Sequence, residues 1–505
     1  MPGSPNVLHA SRQPPAASGA VTFWLNGEQC IASADEARRR LTTWLRETRH
    51  LSGTKLACGT GDCGSCTILL AAPHEEPPRW RAVNSCLLFV HQLHACDVRT
   101  VEGVGGPSSL SAVQRALVDG HGTQCGMCTP GLVMSMTAAL QQPCPTDTRW
   151  WAQALCGNVC RCTGYASVLD AAVSAARETQ VTPPFSGAWL TDRAQLCQTA
   201  STVEQVIDGA EQAHAVPNAA IVKPTTLAHA LTHLAAHPSS IVAAGTTDLA
   251  LEPSVVERSW LDLSLISELT TCETMRGAAG APDVLVMGAM TTWRTLRAIA
   301  ERECRPLAVL LDRMGGPQIQ ERATVGGNIM TASSIGDLLP LLYALDATAE
   351  IAHRDGLRHC RIQELIVGPR STALRAGELL TKVRLPLPRL HDQLVLEKVS
   401  RRRDMDIATV SLAVHWRRDS SGRLSHAAIA AGGVAPTVLR FPAAEARLIG
   451  STGSAQDWHD AAALVATAAK PRSDVRGSAE YRRSVLHGLI ASLALHSSEQ
   501  PGGPT

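Results

Sequence analysis

Through the N-terminal part of the chain, apolar and polar positions alternate in short runs. VTFWLNG from Val21, CTILLAA from Cys66 and WRAVNSCLLFV from Trp80 read as strands of a sheet. After Ser108 the period changes. LSAVQRALVDG and LVMSMTAAL set apolar residues three and four apart, which predicts helices across 108–178. Residues 183–218 are polar and weakly patterned, with a linker expected near 182–187. From Lys223 to about Pro388 strand and helix patterns alternate with glycines in the turns, and the LPLP run ending at Pro388 closes the region. Strand-like IATVSLAVHW and HAAIAAGGV then precede two helical stretches. Both chain ends are rich in small and turn-forming residues, and no internal repeat is visible. The shifts divide the chain into a flexible tail (1–20), a strand-rich unit (21–104), a helical unit (108–178), a linker (179–218), an alternating unit (219–388) and a last mixed unit (391–497). The expected fold class is multidomain α+β.

Composition narrows the classes. At 505 residues the chain exceeds one core, and ~150 residues per domain gives three or four units. With 45% hydrophobic and 18% charged residues it is globular. A net charge of +1 supplies no field to attract phosphates, so neither nucleic acid nor an anionic membrane is the expected partner. No apolar run reaches the ~18 residues of a membrane helix, and the N-terminus shows neither a signal-peptide core nor twin arginines. A cytoplasmic location is expected, where sixteen cysteines point to metal ligands or buried thiols rather than disulfides.

Eight of those cysteines fall into two groups. Cys58, Cys63, Cys66 and Cys86 have the spacing C-x4-C-x2-C-x19-C of a plant-type [2Fe–2S] site, with Gly59, Gly61 and Gly64 letting the loop turn with positive φ. The alternatives are zinc, whose ligands usually pair as C-x2–4-C, and buried thiols without metal. Cys125, Cys128, Cys160 and Cys162 are spaced C-x2-C-x31-C-x-C. Pro130 falls near the first position of the following helix, and helix N-termini turn free N–H groups toward an anionic cluster. Alone, this second group leaves zinc open; beside the first it favours a compact two-iron cage. The other eight cysteines, among them Cys156 and Cys197, lack such spacing and read as ordinary buried residues.

Two glycine-bearing turns stand out further on. In Gly245-Thr246-Thr247-Asp248 a short apolar strand runs into small and hydroxyl residues, a backbone nest suited to a pyrophosphate. In the second, Gly326 and Gly327 allow close approach, Asn328 and Thr331 offer donors to phosphate, and Asp337 an acceptor for ribose or ribityl hydroxyls. Neither is a G-x-G-x-x-G fingerprint, and similar turns occur in many α/β units.

The two cysteine motifs, in this order across about 21–176, resemble the iron–sulfur part of the molybdenum hydroxylases: xanthine dehydrogenase, aldehyde oxidase, carbon monoxide dehydrogenase and relatives. The later turns, with Lys223-Pro224 and the stretch from Glu397 to Asp406, are similar to that family's flavin-binding part. The resemblance implies a plant-type ferredoxin-like β-grasp domain, a four-helix [2Fe–2S] domain, a two-subdomain α+β FAD-binding domain and a small α+β C-terminal domain. It implies that Gln124 contacts a pterin held on a neighbouring domain, and that Thr324, Leu380 and Lys398 join the flavin contacts. The plant-type cluster would lie nearer the flavin. Two departures are expected to alter flavin binding without abolishing it: Thr246 replaces a glycine, and Met314 takes a position that often carries an aromatic. The fused order resembles the iron–sulfur/flavin subunits of split bacterial xanthine dehydrogenases. The function it implies is electron transfer, from a molybdopterin centre on a large partner subunit through two [2Fe–2S] clusters to FAD and then NAD, in a heterodimer or a pair of heterodimers. No catalytic residue for substrate hydroxylation is expected on this chain. An equivalent subunit of an aldehyde or N-heterocycle hydroxylase, and a zinc-stapled interaction protein, are the competing readings.

Overall fold

Five strands form the first sheet: β1 (Val21–Leu25), β2 (Glu28–Ala32), β3 (Thr67–Ala71), β4 (Arg81–Asn84) and β5 (Asp97–Arg99), in the order β2-β1-β5-β3-β4. Only β1 and β5 run parallel. The structure is a computed structural model and describes residues 20–72, 79–106, 108–141, 144–181, 205–207, 220–278 and 281–496. The expected tail, most of the linker and Cys197 lie outside the described residues.

The period-2 pattern of β3 assigns its two faces. Ile68 and Leu70 pack with Phe23, Trp44 and Leu45 of the sheet's own core, where α1 (Ala34–Ala37) and α2 (Leu41–Glu47) cover it. Leu69 and Ala71 point the other way, into the core of the helical unit. So β3 is buried throughout and serves two cores at once. The run from Trp80 is less regular than its alternation predicts. It is strand only to Asn84 and then becomes 3-10 turns at Ser85–Leu87 and Val90–Leu93. The turn is held by polar contacts: Asn84 Nδ2 donates to the Gly61 carbonyl (2.8 Å) and Ser85 Oγ to the Cys66 carbonyl (2.7 Å). These bring Cys86 back to the cysteine loop.

The helical unit consists, among the described residues, of α3 (Ala112–Asp119), α4 (Thr129–Ala139), α5 (Thr148–Ala154) and α6 (Ala166–Val181). Ser111 and Gln114 form a capping box at α3, and Asp147 caps α5. Residues 131–137 of α4 are all buried, so this is the central helix.

Two sheets follow. The first holds β6 (Gln205–Ile207), β7 (Ile221–Lys223), β8 (Ile241–Ala243) and β9 (Trp260–Asp262), with α7 (Leu227–Ala236) between β7 and β8. Strand β6 corrects the linker reading: residues 205–207 pair antiparallel with β7, a three-residue strand too short to stand out by pattern. The second sheet is antiparallel, β10 (Cys272–Met275), β11 (Val284–Gly288), β12 (Thr348–His353), β13 (Gly356–Arg361) and β16 (Leu379–Pro386), in the order β10-β11-β16-β12-β13. A hairpin of β14 (Ile366–Gly368) and β15 (Ser371–Thr372) stands apart. Helices α8 (Trp293–Glu303), α9 (Arg305–Leu311), α10 (Pro317–Gln320), α11 (Val325–Thr331), α12 (Leu339–Ala344) and α13 (Ile362–Leu365) complete this unit. Last come four antiparallel strands, β17 (Gln393–Val399), β18 (Val410–Arg418), β19 (Leu424–Gly432) and β20 (Leu439–Arg440), packed on α14 (Pro442–Leu448), α15 (Ala455–Ala468) and α16 (Ala479–His496). Trp416 and Trp458 meet edge to face there at 5.3 Å. Among the described residues no helix is long and apolar enough to cross a membrane.

The first sheet unit and the β6–β9 sheet share one continuous apolar core. Buried charges cross the same boundary. His91 sits 5.0 Å from the Trp260 ring with its Nε2 3.5 Å from Asp262, while Lys223 Nζ donates to the His91 carbonyl (3.2 Å). All three side chains are almost fully buried. Burial pushes the imidazole of His91 down to about 4, against the opposing pull of Asp262. A base kept neutral in the fold and protonated near 6.5 when unfolded makes the unfolded chain the better proton binder. Stability should therefore fall as pH drops from about 6.5 toward about 4, by about 3 kcal/mol at most. Thermal melts between pH 7 and pH 5 test this: the acid loss should be smaller in His91→Gln, and an equal loss in both proteins would refute the assignment.

Candidate functional site

The first cysteine loop is a chain of tight turns. Gly59, Gly61 and Gly64 have φ of 73°, 82° and 68°, as the spacing predicted. Cys66 and Cys86 are buried, Cys63 is half-buried and Cys58 is exposed. In the second group Cys128 and Cys160 are buried, and Cys125 and Cys162 are exposed with Sγ atoms 3.6 Å apart. Cys128 is the N-cap residue of α4, and Pro130 lies in its first turn. Cys156 stands apart: Asp404 and Asp312 are its charged neighbours, and burial pushes its thiol up to about 12.

Within each group the close thiol contacts fall in two pairs, with weaker charge interactions between the pairs. Cys58 contacts Cys63, and Cys66 contacts Cys86. Cys125 contacts Cys162, and Cys128 contacts Cys160. Among the described residues no three His, Cys, Asp or Glu side chains converge as on a single metal ion. In each group the surroundings favour thiolate at one member and the thiol at another: the Cys66 thiol raises Cys86, burial with Cys160 raises Cys128, and Cys125 raises Cys162. Burial would raise Cys58, but hydrogen bonds from Thr60 and Cys63 outweigh it and bring the thiol down to about 7. At Cys160, burial is likewise outweighed by Thr163, again to about 7.

The two glycine-bearing turns border one cleft of about 820 Å³. Gly245, Thr246, Thr247, Asp248, Thr324, Gly327, Asn328, Thr331, Asp337 and Lys398 all line it, and so does Met314. Two predicted residues do not. Gly326 is turned away, its N–H donating to the Ala289 carbonyl (2.8 Å). Leu380 is paired with Ile351 inside the antiparallel sheet and buried in its core.

The cleft carries unmet polar groups. Lys398 Nζ donates to Asp337 Oδ2 (2.6 Å) and to the Arg313 carbonyl (2.9 Å). Asp337 Oδ1 and the side-chain amide oxygen of Asn328 (Oδ1) are buried without a partner, acceptors suited to ligand hydroxyl or amide donors. Burial raises the Asp337 carboxyl, and the ammonium of Lys398 opposes that rise. Several lining residues escaped the sequence reading: Trp293, Arg370, Met405, Arg476, and Gly61 with Asp62 of the first cysteine loop. None has a local signature, because each reaches the cleft from a different element.

Thr246 has a φ of 60°, a left-handed conformation costly for a β-branched residue. Its hydroxyl has three acceptors within reach: the Leu87 carbonyl (2.9 Å), Gln92 Oε1 (3.3 Å) and the Gly245 carbonyl (2.8 Å). Leu87 follows Cys86, so the side chain that departs from glycine ties the flavin-side turn to the cysteine loop. Arg40 ties the same two units, donating to the carbonyls of Gly59 (3.2 Å) and Ala250. Gln124 is exposed beside Cys125.

Known proteins extend the picture. Residues 217–388 match the family described as "FAD binding domain in molybdopterin dehydrogenase", residues 100–173 a "[2Fe-2S] binding domain", and residues 397–496 the "CO dehydrogenase flavoprotein C-terminal domain". The second cysteine group falls inside the middle match, and Lys398 inside the last. Xanthine dehydrogenase of Drosophila subobscura is 29% identical over 96% of this chain and 40% of its own length. Aldehyde oxidase 2 of Cavia porcellus is 28% identical over 94% of this chain and 39% of its own length. The chain thus spans about 40% of the length of these relatives. Among solved structures, quinoline 2-oxidoreductase from Pseudomonas putida 86 aligns with a TM-score of 0.50 and 27% identity, covering 56% of this chain and 97% of that chain. Carbon monoxide dehydrogenase from Hydrogenophaga pseudoflava aligns with the same score and identity over 55% of this chain and 96% of that one. FAD and iron–sulfur clusters are the cofactors these domains bind.

The strained threonine gives a direct test. Thr246→Val keeps the shape and the backbone strain but removes the donor, and should cost about 1–2 kcal/mol of stability. Thr246→Gly loses the same bonds but relieves about 1 kcal/mol of strain, so it should cost less. Denaturant unfolding with and without FAD would measure both. A glycine variant less stable than the valine variant would show that the φ of Thr246 is not a burden.

Proposed function

We propose that this chain, a member of the molybdenum hydroxylase family by its domains, is an electron-transfer subunit of the xanthine dehydrogenase type. It takes electrons from a molybdopterin centre on a large partner subunit, in a heterodimer or a pair of heterodimers, and delivers them to NAD. The observation that carries this reading is a juxtaposition. Gly61 and Asp62, between Cys58 and Cys63, line the same cleft as Gly245, Asp337 and Lys398. A redox site on that loop would stand at the wall of the flavin site.

The donor sets fit the cofactors. Four thiols paired two and two suit a two-iron cluster, in which each iron takes two thiolates. On this reading Cys58 with Cys63 and Cys66 with Cys86 hold one cluster, and Cys125 with Cys162 and Cys128 with Cys160 hold the other. When bound, such clusters carry single electrons and FAD collects two, so the protein supplies position and potential. Lys398 holds Asp337 in place with one oxygen free for a ligand hydroxyl, and Asn328 offers a second buried acceptor. Exposed Gln124 beside exposed Cys125 and Cys162 supports a pterin contact from a docked partner. The finer folds follow the same reading: a ferredoxin-like β-grasp domain, a four-helix [2Fe–2S] domain, a two-subdomain flavin domain and a small C-terminal domain, in the cytoplasm.

Aldehyde oxidase and quinoline 2-oxidoreductase among the relatives favour a second reading, in which the partner oxidises an aldehyde or an N-heterocycle. The chain's own chemistry is the same in both, and the molybdenum chain that co-purifies decides between them.

Metal, labile sulfide and flavin analysis of the purified chain, with electron paramagnetic resonance after dithionite reduction, tests the core of the proposal. About four irons, about one FAD and two distinct rhombic signals per chain are expected. Zinc in place of iron, without flavin, would replace it with a cysteine-stapled interaction protein.

A further inference from the structure

Gln318 belongs to the flavin-binding unit, on the four-residue helix α10. Its chain neighbours Gly316 and Ile319 line the flavin cleft. Its own side chain points the opposite way and is almost completely buried where three units meet. There its Nε2 has three acceptors: Asn158 Oδ1 at 2.8 Å, Ser135 Oγ at 3.0 Å and Thr67 Oγ1 at 3.3 Å. Ser135 and Asn158 belong to the helical unit, and Thr67 to the first sheet.

Two of these partners sit on the cysteine loops, and Ser135 on the central helix α4. Thr67 follows Cys66, and Asn158 precedes Cys160 by two residues. Asn158 in turn donates through Nδ2 to the Gly64 carbonyl (3.1 Å), between Cys63 and Cys66. Ser135 Oγ donates to Asn158 Oδ1 (2.7 Å), and Thr67 Oγ1 to the Gly64 carbonyl (2.6 Å). Alongside, the Val159 N–H donates to the Cys63 carbonyl (2.9 Å). One amide from the flavin unit thus closes a buried polar knot on both loops. The fit is tight: a Cβ on Gly157 would stand 1.8 Å from Gln318 Oε1, and one on Gly64 would stand 2.3 Å from the Gly157 carbonyl.

A buried amide is costly unless its hydrogen bonds are made; here the Nε2 bonds are made while Oε1 is buried without a partner, so the side chain contributes through the geometry its donors fix rather than through net stability. An apolar side chain of the same length would fill the space equally well, so packing does not require glutamine here. We propose that Gln318 is a positioning residue that fixes the spacing of the two cysteine loops, and hence of the clusters they hold, and couples that spacing to the docking of the flavin unit. The inference rests on the reading of both loops as [2Fe–2S] sites.

The test uses the full chain loaded with iron and FAD. Gln318→Met keeps volume and removes the donors. Ser135→Ala removes one acceptor and guards against a Met variant that fails to fold. Two readouts are taken. One is the magnetic interaction between the two reduced clusters at low temperature, which depends on their separation. The other is hydrogen exchange at the Val159 amide. Gln318→Met should retain full iron and flavin, alter the splitting, and speed Val159 exchange about tenfold. Ser135→Ala should move both in the same direction by less. Unchanged splitting and unchanged exchange in a fully loaded Met variant, or in Ser135→Ala if the Met variant does not fold, would overturn the proposal. Absence of iron from the unmutated chain would instead refute the cluster assignment, and Val159 exchange would still decide whether Gln318 holds the loops together.

Discussion

Backbone touching backbone is the constraint on which the arrangement of the first two units depends. The loop carrying Cys63 and Cys66 lies directly against the helical unit that carries Cys128 and Cys160. A Cβ on Gly131 would stand 2.1 Å from the Gly64 carbonyl, and one on Gly64 would run into Gly157. Three positions without side chains therefore permit the hydrogen bond from Val159 to Cys63. Any side chain at these positions would push the two cysteine groups apart by ångströms, and the knot of Asn158, Ser135 and Gln318 could not close.

The apolar interior reinforces this contact without specifying it. Strand β3 feeds two cores through its alternate faces, and the first sheet shares a core with the β6–β9 sheet. Apolar burial is non-directional, so it would tolerate a small slide of one unit over another. The polar contacts at the boundaries would not. Thr246 on Leu87, Arg40 on Gly59 and Ala250, Lys223 on His91, and Gln318 on Asn158 each need one register. Burying such groups brings little net stability when they are paired and a large penalty when they are not. Their work here is to select a single docked geometry.

Which parts of this were legible in the sequence follows from how local each cause is. The glycines of the first cysteine loop announce a tight turn because their neighbours in sequence are the groups they must avoid. Pro130 marks a helix start for the same reason. Thr246 stood out as a departure, but the acceptor that compensates it, Leu87, lies far away in the chain and leaves no trace beside it. Leu380 shows the converse: an apolar residue in an eight-residue strand carries no sign of whether it faces a ligand or the core, and here it lies in the core. Strand β6 was missed because three residues cannot display a period. Gly61 and Asp62 were read only as part of a metal loop. That they also wall the flavin cleft is a fact of docking between units, which no local pattern encodes.

Exposure divides the second cysteine group in two, and in the first group Cys58 is exposed as well. Cys125 and Cys162 are exposed, with Gln124 and Met127 exposed beside them. Their partners Cys128 and Cys160 are buried and face inward. The Val159 amide, next to Cys160, bonds the Cys63 carbonyl, and Gly61 of that loop lines the cleft together with Lys398. Under the proposed function, these contacts run from the surface where a partner's centre would dock to the site where two electrons are collected. A chain whose clusters served only as staples would have no need of contacts ending at a flavin-sized cleft with two unmet acceptors in its wall. The contact of the second group with the Cys63 loop, and of that loop with the cleft, therefore adds to the argument for electron transfer that either cysteine motif makes alone.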